Sequence, residues 1–377
     1  MGNAKKRSGS VASMLPVLLA CSFTASFGQS MMNVALPELA ERFGVTLSIA
    51  NWVIVGYMVV AATAIMLSAF MLRRLGLRRV FFVGAGALAL GSACALLSQD
   101  FPMLFASRLV QAVGTGLFFP SVTSVIMTNS PAAVRGTRLA LNSGVIAVGL
   151  AISPTASGFA LTQFGWRAMF VVSLAMSVAL LAVGFFRIHG GPSTKRVPID
   201  ALSVMLGPLG LAAFLYGLGE VTRDLAPSLA ALAVGAVLLA LFAWRQFALE
   251  SPLLDLHPLV HPRFAVGILL VMVGMLTSFS MSILLPLCYE GALGYTAFFA
   301  GLLLLGPVLV NAAFTFLGGR VFDRHGAWPL IPAGLLLVLV GQATAFFSGS
   351  WTENHTRLCL YHHPRNSGRE WYPAGIF

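Results

Sequence analysis

The sequence predicts an all-α integral membrane protein that crosses the lipid bilayer many times. Hydrophobic residues make up 58% of the 377 residues and charged residues only 9%, with a mean hydropathy of +0.88. Eleven apolar stretches are separated by short polar loops, and each has about the 20 residues that a helix needs to cross a bilayer. A water-soluble domain could not bury so much apolar surface, so that class is excluded.

The apolar stretches define the predicted membrane spans. In chain order they are Met14–Ala35, Ala50–Leu72, Val80–Ser98, Met103–Met127, Leu139–Gln163, Ala168–Phe186, Ala201–Gly219, Ala226–Trp244, Phe264–Cys288, Thr296–Gly318 and Leu330–Ser348. Gly and Pro occur inside several spans, which membranes tolerate because neighbouring helices satisfy the backbone.

Lys and Arg residues are distributed unequally between alternate loops. Most fall in one set of loops, whereas the opposite set holds only Arg42, Arg167 and Arg223. Positively charged loops stay in the cytosol during insertion, so we expect a cytoplasmic N-terminus. The net charge of +11 therefore reflects membrane topology. Nucleic-acid binding would need a basic face on a soluble domain, and the sequence offers none.

The fourth span contains the only full charge inside a predicted span, Arg108. Gln111 lies one turn further on the same helix face, and Gly114 and Gly116 allow close approach of another helix before Pro120. Ionisable residues in membranes are costly and usually functional. The alternative is an arginine that extends to the outer end of its span, with glycines that serve packing.

The fifth span carries a stripe of small residues and a proline. Gly149, Ser153 and Ser157 recur at four-residue intervals, followed by Gly158, and Pro154 removes a backbone hydrogen bond and kinks the helix. Two interpretations remain open. The stripe is either an ordinary packed surface with a kink or a hinge that faces the opposite half of a transporter.

These two runs resemble signatures of the major facilitator superfamily, and within it the fourteen-span drug:proton antiporter branch (EmrB/QacA type). In the span-four signature Ala112 stands where a glycine is usual, and in the span-five signature Ser153 and Ser157 replace two glycines. Further matches to that branch are Asn33 and Pro37 at the end of span one, Trp52, Tyr57 and Gly165-Trp166-Arg167.

A cytoplasmic loop signature of the superfamily occurs twice. The first copy holds Gly76, Arg78 and Arg79, and the second holds Gly319, Asp323, Arg324 and Gly326. Arg73 occupies the acid position of the first copy, so the usual acid–base contact of that loop cannot form there. The second copy retains its acid as Asp323. Repeated loops at equivalent positions are typical of transporters built from parallel repeats.

The resemblance implies a major facilitator-type helical bundle with about 11 of an expected 14 transmembrane helices. Its parts are a cytoplasmic N-terminus (1–13), a six-helix half (14–187), a linker with two extra helices (188–263), a partial second half of three helices (264–349) and an aberrant polar tail (350–377). We expect a frameshift near residue 350, with a naturally divergent tail as the alternative.

The resemblance also places an aspartate in span one at the position of Gly28. A carboxylate in a low-dielectric site is a simple coupling device because desolvation raises its pKa towards the working pH. The glycine therefore puts proton coupling through this position in doubt, although Gln29 and Asn33 can still bind a substrate. The other candidate coupling acids are Glu38, Glu220 and Glu290.

The function implied by the resemblance is proton-coupled multidrug efflux by alternating access in a bacterial inner membrane. The implied partners are small amphipathic or cationic solutes, membrane lipids and a periplasmic adaptor protein, but no nucleic acid. We expect no enzyme activity, metal or cofactor, since catalytic motifs are absent from the sequence and the proton gradient supplies the driving force. The alternatives are a facilitator or symporter of another small solute and a non-functional truncated product. The expected pocket residues are Gln29, Ser30, Asn33, Phe118, Phe119, Asn142 and Asn311.

Overall fold

The computed structural model describes residues 2–188, 200–221, 224–249, 252–287, 297–326, 328–341 and 343. These residues form helices and connecting turns without a strand, which confirms the predicted all-α fold. Seven helices among them are long and apolar enough to cross a membrane. The chain divides into two compact units, Met1–Arg324 and His325–Phe377.

The first helix of the structure ends earlier than the first predicted span. Helix α1 (Gly2–Ser30) stops five residues before Ala35, and a turn follows in which the Asn33 amide donates to the Ser30 carbonyl oxygen at 3.2 Å. A short amphipathic helix, α2 (Leu36–Phe43), then begins with Pro37 in its first turn. Proline has no amide hydrogen to lose at that position, so it favours a helix start there.

Five long helices complete the first half of the first unit. They are α3 (Leu47–Leu75), α4 (Leu77–Leu96), α5 (Phe101–Asn129), α6 (Ala132–Phe164) and α7 (Arg167–Arg187). Side chains cap two of them, because Thr46 accepts from the Ile49 amide and Asp100 from the Met103 amide. Gly76 makes the sharp turn between α3 and α4. The turn requires a positive φ of 78°, which glycine adopts without strain.

The two helices that follow the first half form a hairpin. They are α8 (Ala201–Glu220) and α9 (Leu225–Ala248). At one end, the Arg245 guanidinium donates to both carboxylate oxygens of Asp200 at 2.6 and 2.8 Å. These bonds hold the pKa of Asp200 well below its ordinary value. Tyr216 on α8 stacks on Trp52 of α3 at 5.8 Å between ring centroids, which attaches the hairpin to the first half.

The remaining described helices follow a short 3-10 helix at His257–Val260. They are α10 (Pro262–Leu287) and α11 (Ala297–His325), and the second unit contains a short apolar helix, α12 (Leu330–Gly341). Gly326 follows α11 with a left-handed φ of 75°. The predicted break near residue 350, the polar tail and Glu290 lie outside the described residues.

Buried apolar side chains hold the first half together, while large apolar side chains also cover its outside. One buried cluster joins α1, α4, α5 and α7 and includes Leu18, Leu88, Phe118 and Leu180. On the outer faces, apolar side chains remain exposed along most helices, such as Leu90 at 60%. An apolar exterior of this extent suits hydrocarbon, in agreement with a membrane protein.

Candidate transport site

Helix α5 lies between α3 and α4 at very short distances because its glycines leave room for their backbones. A Cβ atom on Gly114 would overlap the Gly84 carbonyl oxygen of α4. A Cβ atom on Gly116 would overlap the Ala61 carbonyl oxygen of α3. The span-four glycines therefore set the distance of α5 from both neighbours, as small residues do in membrane helix packing.

Arg108 lies two turns inside α5 and is completely buried, with 0% of its side chain exposed. Its Nη1 donates to the Gly28 carbonyl oxygen of α1 at 3.0 Å and to Gln111 Oε1 at 2.7 Å. Its guanidinium carbon lies 4.2 Å from the centroid of the Tyr57 ring on α3. A cation over an aromatic face is attracted by the ring quadrupole, so α1 and α3 both stabilise this charge.

Gln111 extends the polar contacts of Arg108 to α4 and α7. Its Nε2 donates to Ser92 Oγ at 2.6 Å. The Ser92 hydroxyl in turn lies 2.7 Å from the Leu88 carbonyl oxygen and 3.1 Å from the Ser173 hydroxyl on α7. A buried polar network needs its members satisfied, and this one satisfies the amide of Gln111 on both its oxygen and its nitrogen.

The hydroxyl of Tyr57 forms a second polar contact beside Arg108. It lies 2.6 Å from Thr115 Oγ1 on α5, and both side chains are buried. Thr115 Oγ1 in turn lies 3.5 Å from the Ala25 carbonyl oxygen of α1. Polar groups from α1, α3, α4, α5 and α7 therefore meet around one buried cation.

This cation has no carboxylate partner in the part of the chain that the structure describes. Neither Nε nor Nη2 of Arg108 has a hydrogen-bond partner there, and no described Asp or Glu is buried. The backbone of Gly28 is adjacent, and a Cβ atom at that position would meet only Tyr57 Oη, at 3.9 Å. Two donors of Arg108 are thus unused, and no side chain fills the α1 backbone position at Gly28.

The small-residue stripe of α6 faces α1 of the same half. Ser153 Oγ donates to the Phe27 carbonyl oxygen at 2.7 Å, and Gly149 is in direct contact with Ser26. Ser22 Oγ donates to Asn142 Oδ1 at 2.7 Å in the same interface. The interpretation of this stripe as a hinge that faces the opposite half is therefore corrected, since its buried face is filled by α1.

A different face of α6 contacts the second half through Asp323 of α11. Asp323 Oδ1 accepts from the Gly136 amide, and Oδ2 accepts from the amide and hydroxyl of Thr137, at 2.6–2.7 Å. Burial alone would raise the pKa of Asp323, but the bonds from Thr137 and Gly136 outweigh it and hold the pKa below its ordinary value. Asp323 is therefore a carboxylate at neutral pH.

The two helices cross closely at this contact because both carry glycine there. A Cβ atom on Gly319 would overlap Ala140, and a Cβ atom on Gly136 would overlap Phe322 and Asp323. Next to this crossing is a cleft of about 260 Å³. It is bordered by α1, α6 and α11, and its lining residues are Phe23, Ala140, Leu141, Gly144, Val145, Val148 and Phe316. The contact lies at the end of the cleft that is nearest the N-terminal end of α6.

Comparison with known proteins identifies the family. The profile of the Major Facilitator Superfamily matches residues 18–361. The chain belongs to this superfamily. Its members are membrane transporters and not enzymes, so the chain is a multi-pass membrane transporter. The match extends beyond Ser350, into the segment expected to be aberrant.

Two relatives from Bacillus subtilis (strain 168) are similar over most of this major facilitator chain. Lincomycin resistance protein LmrB is 31% identical over 333 residues, which are 87% of this chain and 69% of LmrB. The uncharacterized MFS-type transporter YhcA is 30% identical over 331 residues, or 87% of this chain and 62% of YhcA. The chain thus spans about two thirds of the length of these relatives.

A solved structure shares the major facilitator fold. The proton:xylose symporter XylE superimposes with a TM-score of 0.56 over 86% of this chain and 71% of XylE. Only 17% of the aligned residues are identical, so the likeness concerns the fold alone.

Several residues predicted for the pocket lie away from the cleft. Asn33 is exposed in the turn after α1, and Asn311 is exposed on α11. Phe118 is buried against Gly84 in the core of the first half. Gln29 is half-buried and next to Gly28. The polar residues expected in one pocket are thus distributed over several surfaces of the transporter.

Sequence reasoning missed several members of the polar network around Arg108. Tyr57 was noted only as a match to the family pattern, and no role was predicted for it. Thr115, Ser92 and Ser173 were not among the predicted site residues. The cleft-lining Phe23 and Phe316 were missed as well. The only sequence signal was the presence of polar side chains inside apolar spans, which does not reveal which helices meet.

Proposed function

We propose that this chain is an efflux transporter that moves small amphipathic solutes by alternating access. The observation that carries the proposal is the contact of Asp323 with Gly136 and Thr137, which lies at one end of an apolar cleft between α6 and α11. Major facilitator transporters expose a central site alternately to the two sides by moving one half against the other. A closed contact beside an open cleft is one state of such a cycle.

The charge pattern of the loops gives this state an orientation within the proposal. With a cytoplasmic N-terminus in a bacterial plasma membrane, the fifth span runs outward, so the N-terminal end of α6 lies at the cytoplasmic side. The α6–α11 contact is then the cytoplasmic gate, and the cleft opens away from the cytosol. Breaking the contact gives solutes access from the cytosol.

The cleft favours solutes with an apolar body. Its lining contains two phenylalanines and aliphatic side chains, and Gly144 adds no side chain that would fill the space. Apolar pockets with few polar groups accept many ligands of suitable size. The name of the relative LmrB refers to lincomycin resistance, which supports export of drug-like compounds by this chain as well. We propose the proton gradient as the driving force.

A second candidate is a facilitator or symporter of another small solute. The specific observation that favours it is Gly28 beside Arg108, where no carboxylate is available to carry a proton among the described buried residues. Transport without a titrating acid at that site would follow the solute gradient or another ion.

The test is efflux of a fluorescent amphipathic dye from cells, with and without collapse of the proton gradient. Gly144→Trp should block efflux, because a Cβ atom there meets nothing within 4 Å and the indole extends into the cleft. Gly86→Trp on α4 is the matched control, since its Cβ position is equally free but outside the cleft.

The outcomes separate the candidates. Loss of efflux in Gly144→Trp but not in Gly86→Trp, together with loss after gradient collapse, supports proton-driven export. Net uptake, or movement that persists after gradient collapse, favours the facilitator. Equal efflux by Gly144→Trp and the wild type would show that solutes do not pass through the cleft.

A further inference from the structure

The environment of Arg108 poses a problem of charge balance. An isolated ion in a low-dielectric interior is very costly, so buried charges are normally paired and fully hydrogen-bonded. Arg108 is completely buried, yet no described Asp or Glu is buried with it. The Tyr57 ring compensates part of the cost, since a desolvated cation is attracted by the quadrupole of an aromatic face.

The donors of the guanidinium are only partly used. Nη1 is occupied by Gly28 and Gln111, whereas Nε and Nη2 have no partner among the described residues. A buried donor without a partner carries its full desolvation cost. Arginine presents its N–H groups as a fork that fits carboxylates and other anions, so these two free groups favour an anionic ligand.

Gly28 leaves an open place on the α1 side of the guanidinium. A Cβ atom there would meet only Tyr57 Oη, at 3.9 Å. No α1 side chain occupies this place, so a small anion such as chloride or a carboxylate can approach Nε and Nη2 of Arg108 from it. The Tyr57 hydroxyl faces the same space and offers a third polar contact.

We propose that Arg108, Gly28 and Tyr57 form a binding site for a small monovalent anion, either a free halide or a carboxylate group. The anion supplies the negative charge that the described side chains lack and uses Nε and Nη2 of Arg108. The site lies about 10 Å along α5 from its first residue, near the end of α1 where Asn33 is exposed. This site is independent of which solute the cleft transports.

The test is thermal unfolding of the purified full chain in detergent, in chloride or gluconate at equal ionic strength. Gluconate is a bulky polyhydroxy anion that a completely buried arginine should not accommodate, so it serves as the reference anion. We expect saturating chloride to raise the unfolding temperature by roughly 3 °C, because a ligand that binds only the folded state stabilises it. An acetate arm distinguishes the sources, since a response to acetate indicates a site for carboxylates and a response to halides alone indicates chloride.

Two matched variants isolate the site from general salt effects. Gly28→Asp attaches a carboxylate beside the guanidinium, so it should unfold at a higher temperature in gluconate than Gly28→Asn, which has the same shape without the charge. Both should lose the chloride response because their side chains occupy the space. General effects of the salts remain in both variants and cancel in the comparison.

The wild-type titration decides the proposal even if a variant does not fold. An unfolding temperature that is the same in chloride, bromide, acetate and gluconate would overturn the anion site. So would a chloride response of equal size in Gly28→Asp and the wild type. An anion response without any dye efflux would leave the site standing and remove the proposed export function.

Discussion

Arg108 is the residue around which the first half is organised. Its contacts come from α1, α3 and α5, and Gln111 adds α4 and α7 through Ser92 and Ser173. Each neutral hydrogen bond contributes only about 1 kcal/mol, but leaving a buried partner unsatisfied costs about 1–3 kcal/mol. Because so many helices depend on the same group, we expect substitutions here to affect stability as well as transport.

The contribution of Tyr57 can be divided into its hydroxyl and its ring. Tyr57→Phe keeps the ring under the guanidinium and removes the bond to Thr115, so it should destabilise the protein by about 1 kcal/mol. Tyr57→Leu also removes the cation–π contact and should cost about 2–4 kcal/mol. Denaturation in detergent measures both.

The matched control for the hydroxyl is Tyr216→Phe. Tyr216 is 40% exposed and contacts Trp52 through its ring, so its stability should change by less than about 0.5 kcal/mol. If Tyr57→Phe and Tyr216→Phe were equally stable, the buried hydroxyl would have no measurable part in the network.

At the residue scale, the sequence reveals local partners but not distant ones. Arg108 and Gln111 are three residues apart on one helix, so helical geometry alone predicts that they meet, and the structure places them 2.7 Å apart. Tyr57 and Ser92 come from other helices. Helical periodicity shows which face of a helix is polar, but it does not show which neighbour packs against that face.

At the scale of the helices, glycine positions determine which helices come close. Gly114 allows close approach of α4, and Gly116 allows close approach of α3. Gly136 of α6 and Gly319 of α11 allow these two helices to cross closely. The sequence marks these positions as small, but only the structure shows that the stripe of α6 packs on α1. Span ends were also misjudged, because apolar residues continue to Ala35 after α1 has ended at Ser30.

Helix α2 was not predicted, for a physical reason. It has only eight residues, which is too short to bury a full stripe or to be stable alone. It is held by burial of Leu36, Leu39 and Ala40 against the bundle. Such a helix depends on tertiary packing, and the polar composition of its other face resembles that of a loop.

The packing of α5 against α3 gives a prediction with a control on the neighbouring helix. Gly116→Ala should destabilise the protein by about 1–3 kcal/mol, because its Cβ would overlap a backbone oxygen that cannot move away. Gly86→Ala has free space at its Cβ and should gain up to about 1 kcal/mol from helix propensity.

Unfolding temperatures of the two alanine variants in detergent provide the measurement. A Gly116→Ala protein as stable as Gly86→Ala would show that α3 and α5 can separate without cost, against the close packing described above.

At the scale of the whole molecule, the contact between α6 and α11 links residues far apart in sequence. Three hydrogen bonds reach one carboxylate, Asp323. Its pKa is lower in the folded protein than the ordinary value of 3.8. The contact therefore contributes its stability fully above that value and loses it as the pH falls through the lowered pKa. Over the physiological range, titration of Asp323 therefore does not break the contact.

Substitutions on α11 at this contact should weaken it. Asp323→Asn removes the charge and leaves a single acceptor oxygen, and Gly319→Val inserts bulk against Ala140 and Gly136. Both variants should weaken the closed contact and expose the cleft from the side of the α6 N-terminus. Gly306→Val on the same helix is the control, because its Cβ meets nothing within 4 Å.

The measurement is the reaction of a cysteine at Val145, inside the cleft, with a membrane-impermeant maleimide in inside-out vesicles. The native cysteines are first replaced by serine. We expect the labelling rate to rise several-fold in Asp323→Asn and Gly319→Val and to stay at the reference rate in Gly306→Val. Because the thiolate is the species that reacts with maleimide, rates at different pH are divided by the rate of a cysteine in a permanently exposed loop. In the reference protein this relative rate should be the same at pH 8 and pH 5, because Asp323 remains ionised throughout. A relative rate that rose between pH 8 and pH 5, or that ignored both substitutions, would show that closure at this end of the cleft does not depend on the Asp323 contact.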